Sequence, residues 1–118
     1  MNSTTKRRRA FKRGIWAEYL CAFALLLKGY SILAMRYKTK VGEVDIVAKH
    51  KGALVFIEVK ARASLAQGLE AVTSGAQQRI TSAASLYVQK HPAYAGLSMR
   101  FDVMVWHKIW PHHLVNAF

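Results

Sequence analysis

The stretch GEVDIVAKHKGALVFIEVKAR, residues 42–62, holds two apolar runs separated by Lys51 and Gly52. Residues 43–49 and residues 53–61 are rich in valine, isoleucine and other residues that favour extended backbone. Between them, a short segment containing glycine is typical of a tight chain reversal. The two runs are therefore predicted to form a β-hairpin.

The loop length of this hairpin decides which side chains face each other. An even-numbered loop, of two or four residues, places Asp45 opposite Glu58 and Glu43 opposite Lys60. Residues two apart in a strand face the same side, so Glu43 and Asp45 share one face. An odd-numbered loop would shift the register by one residue and separate these side chains. The register is therefore the decisive test for a shared site.

Acidic residues are scarce in the chain, which has six of them against 18 lysines and arginines. Three of the six lie in the predicted hairpin, where directly opposed carboxylates destabilise a sheet unless a cation compensates. Two close carboxylates, Asp45 and Glu58, suit Mg²⁺ or Mn²⁺, which prefer oxygen ligands. Such an ion acidifies a water, while the Lys60 ammonium stabilises charge on a phosphoryl oxygen. The pattern indicates phosphodiester hydrolysis, although Glu-x-Asp and Glu-x-Lys pairs on exposed strands also commonly serve only solubility.

The segment before the hairpin predicts a helix and a strand. Apolar residues at helical spacing favour a helix over residues 13–28, with Gly29 as its stop, and residues 30–37 have strand composition. The buried face of the helix is predicted to consist of four large side chains, namely Trp16, Leu20, Phe23 and Leu27.

The segment after the hairpin predicts a second helix and two more strands. Residues 62–73 are expected to be a loop, with residues 69–72 as a candidate for a short structured piece. A capping box at residues 74–77 opens a helix that runs to about residue 90. Its buried face is predicted to include Ile80, Ala84 and Tyr87. Residues 99–107 alternate between apolar and polar side chains, as half-buried strands do, and residues 110–118 add a short strand. These elements predict a small α/β core.

The net charge of +12 predicts a polyanionic partner. Nucleic acid comes first, because each neutralised phosphate releases counterions, and an anionic membrane surface comes second. A chain of 118 residues with 53% apolar and 20% charged residues has the size and balance of one globular domain. We expect residues 1–12 to form a basic flexible arm and residues 13–118 to form a single domain.

The N-terminal region resembles a signal peptide only in part. Basic residues 6–9 precede an apolar run over residues 14–27, but Glu18 interrupts the run, which is also too short to span a bilayer. The run is expected to be a core helix, and no membrane partner is predicted. The single cysteine, Cys21, has no internal disulfide partner, which favours a core position and a reducing, cytoplasmic location.

Several further residues are candidates for the same site. Glu18 joins the acids if it faces the sheet, and an orientation towards water is equally open. Gln77 could reach the site, although its place in the capping box explains it as well. The candidate nucleic-acid contacts are Arg62, Arg79, Gln77, Arg36 and Lys38. Outside the site, Asp102 is expected to be a salt-bridge partner of Arg100, and His112 and His113 are expected to be exposed.

Seven ordered segments from residue 14 to the end carry a resemblance to a known family. They are Gly14-Ile-Trp-Ala-Glu18, Lys28-Gly-Tyr30, Gly42-Glu-Val-Asp-Ile-Val47, Phe56-Ile-Glu-Val-Lys-Ala-Arg62, Gln77 to Ile80, Arg100-Phe-Asp-Val103 and Asn116-Ala-Phe118. Together they resemble the YraN-like family (UPF0102) of small bacterial proteins, which is similar to archaeal Holliday junction resolvases and restriction endonucleases. Two departures are Arg36, where many relatives carry Asn, and Ala76, where many carry Lys; both leave the acids of the hairpin and Lys60 intact.

The resemblance implies a restriction-endonuclease-like core: an α/β fold with a central mixed sheet of about five strands flanked by helices. It implies that Asp45, Glu58 and Lys60 are the metal-binding and catalytic set, with Glu18 often joining them. The leading hypothesis is thus an endonuclease of the Holliday junction resolvase-like type that uses Mg²⁺ or Mn²⁺, with Glu43 as an auxiliary ligand. Because fold alone does not establish activity, a non-catalytic nucleic-acid-binding or assembly protein is the alternative.

Other properties follow less directly from the sequence. The expected partner is DNA or RNA, and a peripheral membrane protein that uses residues 6–27 ranks third. The resolvases in question act as dimers, so a homodimer is compatible with the resemblance, although the sequence identifies no interface.

Overall fold

The computed structural model describes residues 3–118, which form one five-stranded sheet with helices on both faces. The elements are α1 (Ser3–Leu27), β1 (Ser31–Thr39), β2 (Gly42–His50), β3 (Ala53–Ala61), α2 (Leu65–Ala71), α3 (Ser74–Lys90), a 3₁₀ turn (Pro92–Tyr94), β4 (Ser98–His107) and β5 (Trp110–Leu114). The strands lie in the order β1-β2-β3-β4-β5, and all neighbours are antiparallel except β3 and β4. The predicted α/β class with a mixed five-stranded sheet is confirmed, and the arrangement is consistent with a compact nuclease-like core.

The sheet buries a hydrophobic cluster on each face. On one face, α1 packs on alternate residues of the central strands, with Ile46, Ile57 and Met104 among them. On the other face, α3 and α2 cover Val44, Phe56, Val103 and their neighbours. Because β3 and β4 run parallel, the chain between them must cross over, and α2 and α3 form that crossover. The candidate site lies on the side of the sheet that α1 covers.

The predicted hairpin register is confirmed, but the ladder is shorter than predicted. Strands β2 and β3 pair from His50 with Ala53 to Ile46 with Ile57, which is the even-loop register. The ladder ends one pair before Asp45 and Glu58, so these two are not backbone partners.

On the other side of β2, the ladder with β1 also omits Asp45. The pairs on either side of Asp45 are Met35 with Ile46 and Tyr37 with Val44, and Arg36, which lies between Met35 and Tyr37, has a φ of 52°. A left-handed conformation at a residue with a long side chain is uncommon and costs energy unless its surroundings compensate. Asp45 therefore lies in a local break between two regular ladders.

Two predictions for the first helix were wrong. Helix α1 begins at Ser3 instead of residue 13, so residues 3–12 of the predicted arm are helical; residues 1 and 2 of that arm lie outside the described residues, and its flexibility stays a prediction. The predicted buried face is also reversed, because Trp16, Leu20, Phe23 and Leu27 are exposed whereas Ala17, Cys21 and Leu25 are buried. Small side chains let the helix lie close against the sheet. None of the described helices is long and apolar enough to cross a membrane.

The predicted loop over residues 62–73 contains a short helix. The Ser64 side chain accepts a hydrogen bond of 3.1 Å from the Gln67 N–H and so caps α2. Helix α3 was predicted to open with a capping box at residues 74–77, but Thr73 is its N-cap and accepts from the Ala76 N–H at 3.2 Å. The predicted buried residues Ile80, Ala84 and Tyr87 of α3 are confirmed.

Candidate functional site

A cavity of about 280 Å³ lies between α1 and the ends of β2 and β3. We call it the acidic cavity. Its lining residues are Ala10, Arg13, Gly14, Ala17, Glu18, Glu43, Asp45, Glu58, Val59, Lys60, Ala61 and Arg62. The helix contributes small side chains at Ala10, Gly14 and Ala17, which leave room beside Glu18. The structure therefore brings the four predicted acids and the predicted lysine to one place.

Asp45 is the best-fixed group of the acidic cavity. Its Oδ2 accepts a hydrogen bond of 2.8 Å from the backbone N–H of Val59, and the residue is buried. This bond joins β2 to β3 just beyond the last backbone pair of their ladder. The break in the ladder is thus closed by a side chain, which holds the carboxylate in a defined position.

Glu58 and Glu18 flank Asp45 in an environment that favours their protonated forms. Burial raises the pKa of Glu58 to about 9, and the hydrogen bond with Asp45 and the charge of that residue add to the rise. Burial also raises the pKa of Glu18 to about 7, with further contributions from Asp45 and Glu43. Three carboxyl groups compete for one small space, so the site has an excess of negative charge unless protons or a cation neutralise it.

The protein's own cations compensate this charge only in part. Lys60 Nζ lies 3.5 Å from Glu58 Oε1, and Arg36 Nε lies 3.7 Å from Glu18 Oε2. The Glu18 Oε2 atom is buried and accepts no hydrogen bond within the described part of the chain. An unsatisfied buried carboxylate oxygen next to two other carboxyl groups is the environment that a divalent cation would stabilise.

The donor set fits Mg²⁺ or Mn²⁺ by its chemistry, since these ions prefer oxygen ligands. Its present arrangement does not, because among residues 3–118 no group of three or more His, Cys, Asp and Glu side chains is positioned to hold a metal ion. Burial and the nearby Asp45 raise the pKa values of Glu18 and Glu58, so both glutamates favour their protonated forms. Ion binding would need them to lose these protons.

A second cavity, of about 440 Å³, adjoins the acidic cavity. We call it the basic groove; it is lined by Arg13, Ala61, Arg62, Ala63, Trp106 and Lys108, and it shares Arg13, Ala61 and Arg62 with the acidic cavity. Arg62 is held by a hydrogen bond of 2.8 Å from Nη1 to the Ala61 carbonyl oxygen. Three cationic side chains beside a half-buried tryptophan form a surface suited to phosphates and bases.

Four predicted nucleic-acid contacts lie outside both cavities. Gln77 Nε2 donates to the Val72 carbonyl oxygen at 3.2 Å, which serves the start of α3 on the opposite face of the sheet. Arg79 belongs to the same helix, and its carbonyl group lies against Gly42. Lys38 lines a separate surface depression with Lys40 and Lys90. Arg36 contacts Glu18 from outside the acidic cavity and stacks on Phe11 at 5.2 Å. Only Arg62 of the five candidates lines a cavity with the acids.

Sequence reasoning missed Arg13 and the Val59 N–H as parts of the site. Arg13 lines both cavities, and Val59 supplies the donor that fixes Asp45. The sequence signal that could have identified the side of α1 facing the site was a stripe of small residues at helical spacing, Ala10, Gly14 and Ala17. No sequence signal marks a backbone donor.

A separate network surrounds Asp102. The prediction that Asp102 pairs with Arg100 is confirmed by hydrogen bonds from Arg100 Nε at 3.0 Å and Nη2 at 2.8 Å. His113 was predicted to be exposed, but its side chain is buried and its Nε2 lies 2.7 Å from Asp102 Oδ2. Burial alone would raise the pKa of Asp102, but the hydrogen bonds from His113, Arg100 and the Asn116 N–H lower it to about 2. All of these groups have partners, which indicates a structural role.

Comparison with known proteins gives one consistent result. The model of the uncharacterised protein family UPF0102 matches residues 17–105. A UPF0102 protein of Chelativorans sp. (strain BNC1) is 47% identical over 113 residues, which cover 95% of this chain and 91% of the relative. A UPF0102 protein of Rhodopseudomonas palustris (strain BisA53) is 49% identical over 110 residues, covering 92% and 85%. A third, of Mesorhizobium japonicum, is 44% identical over 118 residues, covering 98% and 93%.

Proposed function

The chain belongs to the UPF0102 family, and we propose that it is a metal-dependent endonuclease that hydrolyses phosphodiester bonds in DNA or RNA. The observation that carries the proposal is the convergence of Glu18, Asp45 and Glu58 with Lys60 in one cavity of a chain whose net charge is +12. Buried acids are costly in any protein. A cluster of them in so basic a chain is best explained by a functional need for carboxylates.

Asp45 and Glu58 are the proposed ligands of Mg²⁺ or Mn²⁺, with Glu18 and Glu43 as auxiliary groups. When bound, such an ion would acidify a water and neutralise charge on the phosphoryl oxygens. The Val59 N–H orients Asp45 for this role. Lys60, 3.5 Å from Glu58, positions the nucleophilic water and stabilises the charge that develops on the phosphate.

The raised pKa values of the two glutamates make this site dependent on pH. Because a metal ligand must be deprotonated, ion binding has to displace the proton that Glu58 holds up to a pH of about 9. Ion binding and activity are therefore expected to increase from neutral to mildly alkaline pH. The proton and the ion would be alternative ways of neutralising the same carboxyl cluster.

The basic groove is the proposed binding surface for substrate next to the acids. Arg13, Arg62 and Lys108 would contact phosphates on one side of the cleaved bond, and the Trp106 ring would stack on a base. Arg13 and Arg62 line both cavities, so a phosphate bound between them would lie next to Asp45 and Glu58. Lys38, Arg79 and Gln77 lie elsewhere and are proposed at most as remote contacts.

A non-catalytic nucleic-acid-binding protein is the second candidate. The observation that favours it is the absence, among the described residues, of three ligand side chains already arranged around one point. The basic groove would then bind the nucleic acid without cleaving it. The acids would have no catalytic role, or they would weaken binding by repelling phosphates. This candidate predicts strong dependence of binding on salt and no loss of substrate integrity with Mn²⁺.

The deciding experiment incubates the purified chain with labelled single-stranded, duplex, flap and four-way substrates, with Mg²⁺, Mn²⁺ or EDTA. We expect metal-dependent cleavage of at least one substrate, and loss of cleavage in Asp45→Asn and Lys60→Ala with binding retained. Glu70→Gln is the matched control, because Glu70 is an exposed acid outside both cavities. Equal cleavage by the wild type and both site variants would refute the nuclease. Binding of all substrates without cleavage would favour the second candidate.

A further inference from the structure

The outward face of α1 is apolar over its second half. Trp16, Tyr19, Leu20, Phe23, Leu26 and Leu27 are all exposed, and Leu27 is 74% exposed. Between Arg13 and Lys28 the helix has one charged residue, Glu18, which faces the acidic cavity. A helix that is apolar on its inner and its outer side is normally covered on both. Contiguous apolar patches of this size mark interaction surfaces.

A groove beside this helix extends the apolar surface. It has a volume of about 370 Å³ and lies between α1 and the turn that joins β4 to β5. Leu20, Phe23 and Leu27 form one wall, and Ile109 and Trp110 form the other. Ile109 is 84% exposed and Trp110 is 66% exposed, so both present apolar surface to the solvent. Lys28 is the one charged residue in the lining of the groove.

We propose that this surface, which we call the α1 face, binds a second copy of the same chain across a twofold axis near Phe23. A twofold interface brings one patch against its own copy, so the patch must be self-complementary. The α1 face has both parts that this requires: a ridge of aromatic and leucine side chains on the helix and a groove directly beside it. The ridge of each copy would fill the groove of the other.

The exposed area is large enough for a stable dimer. Trp16, Phe23 and Trp110 are 60–67% exposed. At roughly 200 Å² for each aromatic side chain, they contribute on the order of 400 Å² to the α1 face. A standard interface buries about 800 Å² on each partner. The remaining exposed side chains of the face, among them Leu26, Leu27 and Ile109, supply the other half.

Charge determines the relative direction of the two helices. The first half of α1 has six basic residues between residues 6 and 13 and no acidic ones. Parallel helices would bring these two basic segments together, whereas antiparallel helices place them at opposite ends of the interface. We therefore infer an antiparallel pair, in which only the apolar second halves meet.

A second copy fits the α1 face better than a lipid surface does. Basic residues next to exposed aromatic side chains also occur in proteins that bind anionic membranes. Fluid lipid chains, however, would cover an apolar ridge whether or not a groove lay beside it, whereas a second copy uses the ridge and the groove together. In the dimer, each acidic cavity lies on the inner side of its own α1, and Trp106, which lines both the apolar groove and the basic groove, would lie where the interface meets the proposed substrate surface.

Sedimentation equilibrium of the nuclease-treated full chain tests the proposal. We expect twice the mass of one chain for the wild type and one chain mass for Phe23→Glu and for Ile109→Asp. Both residues are well exposed, so folding should persist, which circular dichroism would confirm. Leu69→Glu is the control: Leu69 is an exposed apolar residue of α2, on the opposite face of the sheet, and its variant should remain dimeric.

Mixing two variants locates the axis. Phe23→Glu and Phe23→Lys should each be monomeric, and an equimolar mixture should regain dimers, because opposite charges then meet at the axis. A monomeric wild type, or dimers that survive Phe23→Glu and Ile109→Asp, would overturn the proposal. Co-sedimentation of a monomeric wild type with phosphatidylglycerol vesicles, abolished by Phe23→Glu, would assign the α1 face to a membrane instead.

Discussion

The backbone N–H of Val59 donates a hydrogen bond of 2.8 Å to Oδ2 of Asp45, just past the last pair of the β2–β3 ladder. The carboxylate thereby takes the place of a main-chain acceptor and keeps two strand ends joined around a cavity. One side chain thus serves the fold and the proposed chemistry at once. Substitutions of Asp45 can separate the two roles, because an amide retains an acceptor oxygen and a hydrocarbon does not.

Asp45→Asn is predicted to abolish cleavage with little loss of stability, whereas Asp45→Leu should lose both. The asparagine oxygen can still accept from the Val59 N–H, so the link between the two strand ends is kept. In the leucine variant the buried N–H has no acceptor, which costs about 1–3 kcal/mol. Urea denaturation without metal measures the free energy of unfolding of both variants, and the cleavage assay with labelled substrates measures their activity. Equal destabilisation by the two substitutions would show that the hydrogen bond does not stabilise the strand ends.

The stability of the metal-free protein is predicted to fall as pH rises from about 5 to about 9. The folded-state pKa values of Glu58, about 9, and Glu18, about 7, are raised above the ordinary 4.5, so the folded protein binds more protons than the unfolded chain in this range. The free energy of unfolding then decreases by at most about 1.4 kcal/mol per pH unit for each group. Glu58→Gln should flatten this slope, which denaturation at a series of pH values would measure.

Mg²⁺ or Mn²⁺ should counteract that loss of stability. Because an ion competes with protons for the same carboxyl groups, the increase in melting temperature on adding Mn²⁺ should be larger at pH 8.5 than at pH 6. The Glu58→Gln variant lacks one proposed ligand, so its melting temperature should increase less at both pH values. A shift that is independent of pH would place the ion outside the acidic cavity.

Asp102→Asn is predicted to destabilise the fold by about 3–5 kcal/mol at neutral pH, because it leaves Arg100 and His113 without their buried anionic partner. The pKa of Asp102 is lowered to about 2, so its contribution to stability is complete above the ordinary value of 3.8 and disappears as pH falls towards 2. The difference in stability between the wild type and the variant should shrink over that range. A constant difference down to pH 2 would contradict the assigned pKa.

The hairpin and its register could be predicted from the sequence because they depend on local signals. Alternation and a short glycine-containing turn fix which residues of β2 and β3 are opposite each other. The break at Asp45 could not be predicted, since it depends on the left-handed backbone of Arg36 in another strand and on where the ladder ends. A conformation of this kind favours Asn or Gly, so an arginine at position 36 gives no local signal of it.

The inner face of α1 could not be chosen from periodicity. Two apolar stripes share the helix: one contains Ala17, Cys21 and Leu25, and the other contains Trp16 and Phe23. Helical spacing supports both, and large side chains are the usual choice for a core. The structure buries the small stripe, which lets the helix lie close to the sheet and present Glu18. If the second stripe is covered by another copy of the chain, both faces of the helix are buried, and periodicity within one chain has no single answer.

Gly68→Ala is predicted to destabilise the protein by about 1–3 kcal/mol, although alanine is the better helix former. A Cβ atom at Gly68 in α2 would lie 2.5 Å from both methyl groups of Val105 on β4, which are in the core. Gly68→Ala combined with Val105→Ala should recover part of the loss, because the second change removes those methyl groups. Gly14→Ala is the control, since a Cβ there meets nothing within 4 Å, and it should stabilise by roughly 0.5–1 kcal/mol. If thermal denaturation showed Gly68→Ala to be as stabilising as Gly14→Ala, the close packing of α2 on β4 would be disproved.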